Sequence, residues 1–396
     1  MKIYDEEILK KNSAINFGRQ YQQCALSVMD TIADPNIIFD EKGICNYYYE
    51  YLIKEKEYVF KEDNGKKELQ QIINQIKTAG KGRKYDCITG VSGGVDSTYL
   101  TYMAKQLGLN PLVVHFDNGW NSELAIKNIE NIISILGFDL YTLVIDWEEF
   151  KDLQLAYLKA SVVDIEAISD HAISGTLIRL AVENNIPYIL SGYNVVTEGV
   201  LPSYWVTDKS DHINIKAIHK KFGKVKLKTY PFFGTRLKRY YTSMKGLKII
   251  NLLNYVSYNK TKVKETIIKE LNWKDYGGKH YESVFTRFYQ GYILPTKFGI
   301  DKRKAHLSNL IFSGQMSKED ALYELQKPIY DLNQLQQDYE FVIKKLGLTE
   351  GEFEKLMTAP RVEHEYYGMN KGLYEKYNFL KPLRPLQNLL KKTIHR

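Results

Sequence analysis

The sequence predicts an α/β protein: a doubly wound parallel sheet with a small N-terminal segment before it and a helical C-terminal domain after it. Three observations carry that reading. Between Tyr85 and Tyr193, short β-rich runs alternate with longer runs of helical periodicity. A Gly-Gly turn joins the first of these strands directly to a helix. Past the middle of the chain, strand signals give way to helix caps.

In chain order, residues 1–83 form the N-terminal segment. Its stretch Glu68–Thr78 sets Leu69, Ile72, Ile73 and Ile76 at helical spacing, and Gly80-Lys-Gly-Arg closes it as a basic boundary. Val28, Ile37, Ile38, Phe39 and the Tyr47–Tyr51 cluster are the residues expected to pack there. Residues 84–235 form the sheet domain, with strands expected at Cys87–Val91, Leu112–Phe116, Tyr141–Ile145 and Tyr188–Ser191. Helices are expected between them at Ser97–Leu107, Glu123–Leu136, Trp147–Leu158 and Ile165–Asn184. Residues 236–396 form the mostly helical domain, in which Ser317-Lys-Glu-Asp320 and Thr349-Glu-Gly-Glu352 read as N-terminal caps.

Composition bounds the function. With 44% apolar and 26% charged residues, disordered, collagenous and coiled-coil classes are excluded. No apolar run reaches the roughly 18 residues of a membrane span, and the first residues carry no apolar signal core, so a soluble cytoplasmic protein is expected. Cys24, Cys45 and Cys87 are too few for a disulfide framework, and Cys87, inside the first strand, reads as core. Fifty-five Lys and Arg against 47 Asp and Glu give +8, yet Ile213–Lys248 alone holds eleven basic residues and no acidic one. That block reads either as a solvated face or as a surface for a polyanion: a nucleotide, a nucleotide sugar, RNA or an acidic partner. Tyr230, Phe232, Phe233, Tyr240 and Tyr241 interleave with it, as core or as stacking groups.

The sharpest local feature is Gly90-Val91-Ser92-Gly93-Gly94-Val95-Asp96-Ser97-Thr98, directly after a strand and before a helix. Adjacent glycines let a backbone approach an anion closely, while hydroxyls and a helix N-terminus supply donors. The spacing fits neither a Walker A loop nor a GxGxxG fingerprint. The second strand ends in His115-Phe116-Asp117-Asn118-Gly119, and the fourth in Ser191-Gly192-Tyr193-Asn194 with Glu198 beyond. In a doubly wound sheet these ends face the ligand.

The string SGGVDST resembles the PP-loop of the ATP pyrophosphatases, which adenylate a carbonyl oxygen and release pyrophosphate. The resemblance implies ATP binding by Val91, Ser92, Gly93, Gly94, Val95, Asp96, Ser97 and Thr98, with Asp96 as the magnesium carboxylate. It further implies adenine at Phe116 and Asp117, and Gly192, Asn194 and Glu198 lining the site opposite the loop.

Several stretches resemble one family of that superfamily, the N-acetyl sugar amidotransferases of bacterial surface-polysaccharide and lipopolysaccharide O-antigen biosynthesis. They are Ser191–Pro202, Lys216–Lys228, Asp275–Ser283, Thr286–Gln290 and Lys297–Ser308; beyond about Pro328 the chain is less telling. The resemblance implies an AMP-forming carbon–nitrogen ligase that turns the acetamido group of a nucleotide-linked N-acetyl sugar into an acetamidino group, using ATP and Mg2+. Asp96, Lys216, Asn194 and Glu198 would be catalytic, and Lys220, Lys279, His280 and Glu282 would contact substrate. For each lysine the alternative is an ordinary surface residue, and for His280 and Glu282 a structural pair.

The family also carries a CxxC pair near its N-terminus followed by another. Here Cys24-Ala-Leu-Ser27 and Cys45-Asn-Tyr-Tyr48 occupy those places with half the thiols missing, so no zinc is expected. No cysteine stands in a glycine-flanked elbow suited to a glutaminase nucleophile. Ammonia is expected either free or from a separate glutaminase with a cyclase-like channel subunit, as the family implies. No membrane partner is expected and nucleic acid is disfavoured. The alternatives are a PP-loop tRNA-modifying enzyme, which the basic block suits, and a nucleotide-binding subunit that has lost catalysis.

Overall fold

The computed structural model describes residues 19–60, 62–278 and 281–370. Five parallel strands form one sheet in the order β3-β2-β1-β4-β5. They are β1 (Cys87–Gly90), β2 (Pro111–Asp117), β3 (Leu140–Val144), β4 (Tyr188–Ser191) and β5 (Lys248–Asn251). Before the sheet come α1 (Asn46–Tyr58) and α2 (Glu62–Gly80). The crossovers are α3 (Val95–Gln106), α4 (Glu123–Leu136), then α5 (Trp147–Ala160) and α6 (Ala167–Glu183). Between β4 and β5 lie α7 (Val195–Glu198), α8 (His212–Phe222) and α9 (Thr235–Arg239). After β5 the chain is helical: α10 (Lys260–Leu271), α11 (Val284–Phe288), α12 (Leu294–Phe298), α13 (Arg303–Phe312), α14 (Lys318–Gln326), α15 (Leu332–Leu346) and α16 (Glu350–Thr358). Among the described residues, no helix is long and apolar enough to cross a membrane.

The doubly wound sheet and helical C-terminal region are those the sequence predicts, and the reason is visible in β1. Its alternate residues serve opposite faces: Cys87 packs with Leu100 and Ala104 of α3, Ile88 with Ile178 and Ala181 of α6. The strand order makes the chain run outward from β1 to β3, then cross back to β4, so the winding reverses between β1 and β4. Ser317 and Thr349 cap α14 and α16 as expected, Thr349 through a full capping box with Glu352.

Three differences stand out. The sheet has a fifth strand, β5, which lies past the boundary expected at residue 235. Ile37 is fully buried but Ile38 is 68% exposed, because consecutive residues of this extended stretch point opposite ways. The basic block is partly core: Tyr230 and Phe233 are buried, while Tyr240 is exposed. Two buried acids of α5 hold the block down through its backbone. Asp152 accepts from the amides of Lys224 and Val225, and Glu149 from those of Lys228, Thr229 and Tyr230.

The largest core crosses all three zones. Met29, Ile37 and Tyr51 of the N-terminal segment share it with Phe150 and Tyr157 of α5 and with Phe288, Leu335 and Phe353 of the C-terminal helices. At its edge the two N-terminal cysteines meet. The Cys45 amide donates to Cys24 Sγ at 3.2 Å, and Ser27 Oγ lies 3.9 Å from Cys45 Sγ. Their thiol–thiol hydrogen bond holds Cys24 below the ordinary thiol value and pushes Cys45 above it. Tyr48, at the fourth position, packs instead on Phe312, 5.4 Å between ring centroids.

Candidate active site

The winding reversal between β1 and β4 is where a doubly wound sheet presents a ligand crevice, and a cleft of about 630 Å³ opens there. One wall is the loop after β1 (Ser92, Gly94, Val95, Asp96, Ser97) with the turn after β4 (Gly192, Tyr193, Glu198). The other wall comes from the C-terminal helices and their connections.

The loop is built for close backbone approach. Gly93 sits at φ +78°, and a Cβ there would stand 2.7 Å from the Ala125 carbonyl. A Cβ on Gly94 would lie 3.0 Å from both Ser92 Oγ and Glu282 Oε1. The serines brace the turn: Ser97 Oγ accepts from the Ser92 amide, and Ser92 Oγ from the Gly94 amide, both at 3.2 Å. The loop opens directly into α3, whose first-turn residues Val95, Asp96 and Ser97 line the cleft, so the cleft lies at a helix N-terminus, the end that favours an anion.

Asp96, in that first turn, is held from two sides. Asn194 Nδ2 donates to Asp96 Oδ1 at 3.5 Å, while Asn194 Oδ1 caps α7 through the Thr197 amide at 2.9 Å. The Tyr258 hydroxyl donates to the same carboxylate oxygen. Burial pushes Tyr258 well above the ordinary phenol value, and the Asp96 charge adds to it, so the proton stays on the tyrosine. Two more aromatic residues of the same segment reach the loop. Trp273 Nε1 donates to the Gly93 carbonyl at 2.8 Å, and the Tyr276 hydroxyl bonds to the Val95 backbone. Burial, then Glu282, pushes Tyr276 upward too.

Glu282 reaches the loop because its segment is stitched to the end of β2's turn. The Ser122 amide donates to the Glu282 carbonyl at 2.9 Å and the Val284 amide to the Trp120 carbonyl at 2.8 Å, around an antiparallel bridge between Asn121 and Ser283. Beyond Glu282, a π-helical turn at Tyr289–Ile293 joins α11 to α12 and brings Gln290 and Gly291 to the cleft. Lys302, Arg303 and His306 of the α13 region complete the wall.

Of the sequence-predicted residues, the structure brings Ser92, Gly94, Val95, Asp96, Ser97, Gly192, Glu198 and Glu282 to one cleft, with Gly93 and Asn194 supporting it. Val91 and Thr98 are buried behind the loop. Phe116 packs on the main core, and Asp117 accepts from the Gly119 amide and Asn121 Nδ2, so its carboxylate shapes the turn. Lys216 and Lys220 lie on α8 rather than on the cleft; the Lys216 ammonium sits 4.8 Å from the centroid of the Phe232 ring. Lys279 and His280 fall outside the described residues. Sequence reasoning missed Tyr258, Trp273, Tyr276, Lys260, Lys264, Gln290, Lys302, Arg303 and His306. Most lie in or beside stretches that carry the family resemblance, but Tyr258 has no motif around it.

Fold and cleft together define a doubly wound α/β protein with a glycine-rich strand-to-helix loop at its switch point. Residues 282–384 match the family model described as the C-terminal domain of WbpG-like lipopolysaccharide biosynthesis proteins. A tRNA(Ile)-lysidine synthase from Chlamydia pneumoniae is 38% identical over 71 residues, which span 17% of this chain and 22% of that enzyme. Among solved structures, an NMN synthetase from Francisella tularensis is similar over 73% of this chain and 98% of its own, at TM-score 0.32 and 14% identity. An NH3-dependent NAD synthetase from Campylobacter jejuni covers 75% of this chain and 98% of its own, at TM-score 0.29 and 12% identity. The family match begins among the stretches that carry the resemblance, at Glu282, and runs on past Pro328, where the sequence is less telling.

Proposed function

We propose that this chain is an ATP-dependent, AMP-forming amidotransferase of lipopolysaccharide biosynthesis, acting on the acetamido group of a nucleotide-linked N-acetyl sugar. The observation that supports this best is the shared cleft, whose one wall is the SGGVDS loop and whose other wall includes Glu282, Gln290, Arg303 and His306 of the stretch matched by the lipopolysaccharide family.

On this reading the loop amides and the first turn of α3 hold the ATP phosphates, and Gly94 leaves room for them. Among the described residues no three His, Cys, Asp or Glu side chains form a metal cage. Magnesium is commonly held by one or two carboxylates plus substrate phosphates, which Asp96 with Glu198 or Glu282 suits. When bound there it neutralises charge on the transferring phosphate. Tyr258 and Asn194 fix the Asp96 carboxylate. The acetamido oxygen displaces pyrophosphate from the α-phosphate, which makes the oxygen a leaving group. Ammonia adds to the imidate carbon and AMP departs. Of the four N–H protons that the amide and ammonia bring, the amidinium product keeps three, and the fourth passes to the released phosphates or to water.

The test is an incubation with Mg-ATP, ammonium and a panel of UDP-linked diacetamido sugars. AMP and pyrophosphate formed only with sugar and ammonium together, and lost in Asp96→Ala, support the proposal; ADP formation or sugar-independent turnover refutes it. Glutamine alone should not replace ammonium for the isolated chain. The partial match to a lysidine synthase and the basic block favour one second reading, a tRNA-modifying enzyme. AMP release driven by bulk tRNA and by no sugar would establish it instead.

A further inference from the structure

The run His212–Lys264 contains no Asp or Glu, and its middle forms a surface that the proposed reaction does not use. Thr235–Met244 is helical, α9 followed by a π turn. Leu237, Tyr240 and Met244 stand at i, i+3 and i+7, on one face of it, and are 43%, 42% and 77% exposed. Arg236, Arg239 and Lys245 flank that face and are exposed as well.

The segment's place in the fold is fixed by what it packs on. Leu247 is buried with Ile186, just before β4, and Tyr241 packs on the same cluster as Tyr85, just before β1. The surface therefore sits at the N-terminal edge of a parallel sheet, whereas the cleft opens at the C-terminal ends of β1 and β4.

We infer that this is a docking face for an anionic lipid bilayer, on which Leu237, Tyr240 and Met244 enter the interface while the flanking cations meet the headgroups. Apolar side chains presented within a ring of cations suit a charged interface with an apolar interior. RNA would leave Leu237 and Met244 without an apolar environment, and a second copy would bring like charge against like charge. Docked this way, the protein keeps its cleft turned toward water. The inference is independent of the sugar assignment.

The test is co-sedimentation of the full chain with vesicles of phosphatidylglycerol and phosphatidylethanolamine, against phosphatidylcholine alone. Binding to the anionic vesicles only is expected, falling about fivefold for each cation removed by Arg236→Gln, Arg239→Gln or Lys245→Gln. The double variant Leu237→Gln, Met244→Gln should lose at least about tenfold while keeping its melting temperature. Tryptophan emission of Tyr240→Trp should shift to the blue on vesicles. No binding to anionic vesicles at low salt overturns the inference. So does a Leu237→Gln, Met244→Gln protein that binds as wild type, and so does a preference for an RNA oligonucleotide over vesicles.

Discussion

Gly93 combines a left-handed backbone with an approach that leaves no room for a Cβ, 2.7 Å from a carbonyl that cannot move without α4. Gly93→Ala is expected to cost at least about 1–2 kcal/mol in backbone strain alone. Calorimetric titration should show Mg-ATP binding lost, whereas Gly94→Ala, which meets only side-chain ends, should retain part of it. Tyr258→Phe removes one hydrogen bond from Asp96 and leaves the ring's packing. We expect the magnesium concentration for half-maximal nucleotide binding to rise about three- to tenfold, with the melting temperature nearly unchanged. An unchanged magnesium requirement would remove Tyr258 from the site. His171 is a different case, structural rather than functional. Its Nε2 accepts from the Phe233 amide at 3.1 Å, so the proton is on Nδ1, which donates to the Lys209 carbonyl at 2.7 Å. The ring is neutral, and burial lowers its pKa to about 4. Between that value and the ordinary 6.5 the unfolded chain binds the extra proton, so stability present above pH 6.5 declines as pH falls toward 4, by roughly 3 kcal/mol. Urea midpoints measured across that window should fall, and fall less steeply in His171→Gln.

At the scale of elements, the C-terminal helices are pinned by one buried ion pair. Arg287 on α11 donates from Nε and Nη2 to Asp338 on α15 at 2.6 and 2.9 Å, and Tyr330 and Gln334 donate to the same carboxylate. Asp338→Ala leaves the arginine buried without its counter-charge, and denaturation should show a loss of about 3–5 kcal/mol. A loss under about 1 kcal/mol would mean that the helices hold by packing alone. How far such elements could be read from sequence depended on where each lies. Strands β1, β2 and β4 are central, so they read as apolar runs closed by turns, and α4 carries an apolar stripe that fixes both its ends. Strand β5 is an edge strand of four residues that begins where the basic block ends; its surroundings, Leu247-Lys-Ile-Ile-Asn-Leu-Leu253, are apolar without strict alternation, a pattern that periodicity alone does not tell from a short helix. The site divides in the same way. Its loop is local in sequence and was legible; its other wall is assembled from residues 258–331, whose convergence is set by packing. Lys216 shows the limit, since a lysine over an aromatic ring and a lysine aimed at a phosphate have the same neighbours in sequence.

For the whole molecule, the main core decides what can be separated. Because the N-terminal segment, α5 and the C-terminal helices bury side chains against one another, their described residues share one core rather than closing three separate ones. Scanning calorimetry should therefore show one principal transition, and a chain cut before Glu282 should expose apolar surface and aggregate. Two well-separated transitions would refute this shared-core account. The stitching of Ser122 and Trp120 to Glu282 and Val284 extends the point to descent. The matched family domain begins at residue 282, the very residue at which that join starts. A lineage could not trade one such C-terminal domain for another as a free module, since the incoming strand would have to fit Trp120–Ser122 and deliver a carboxylate to Gly94. Specificity in this architecture is then expected to change by substitution within the paired segments, and chimeras joined at 281 should work only when residues 120–122 travel with the domain they serve.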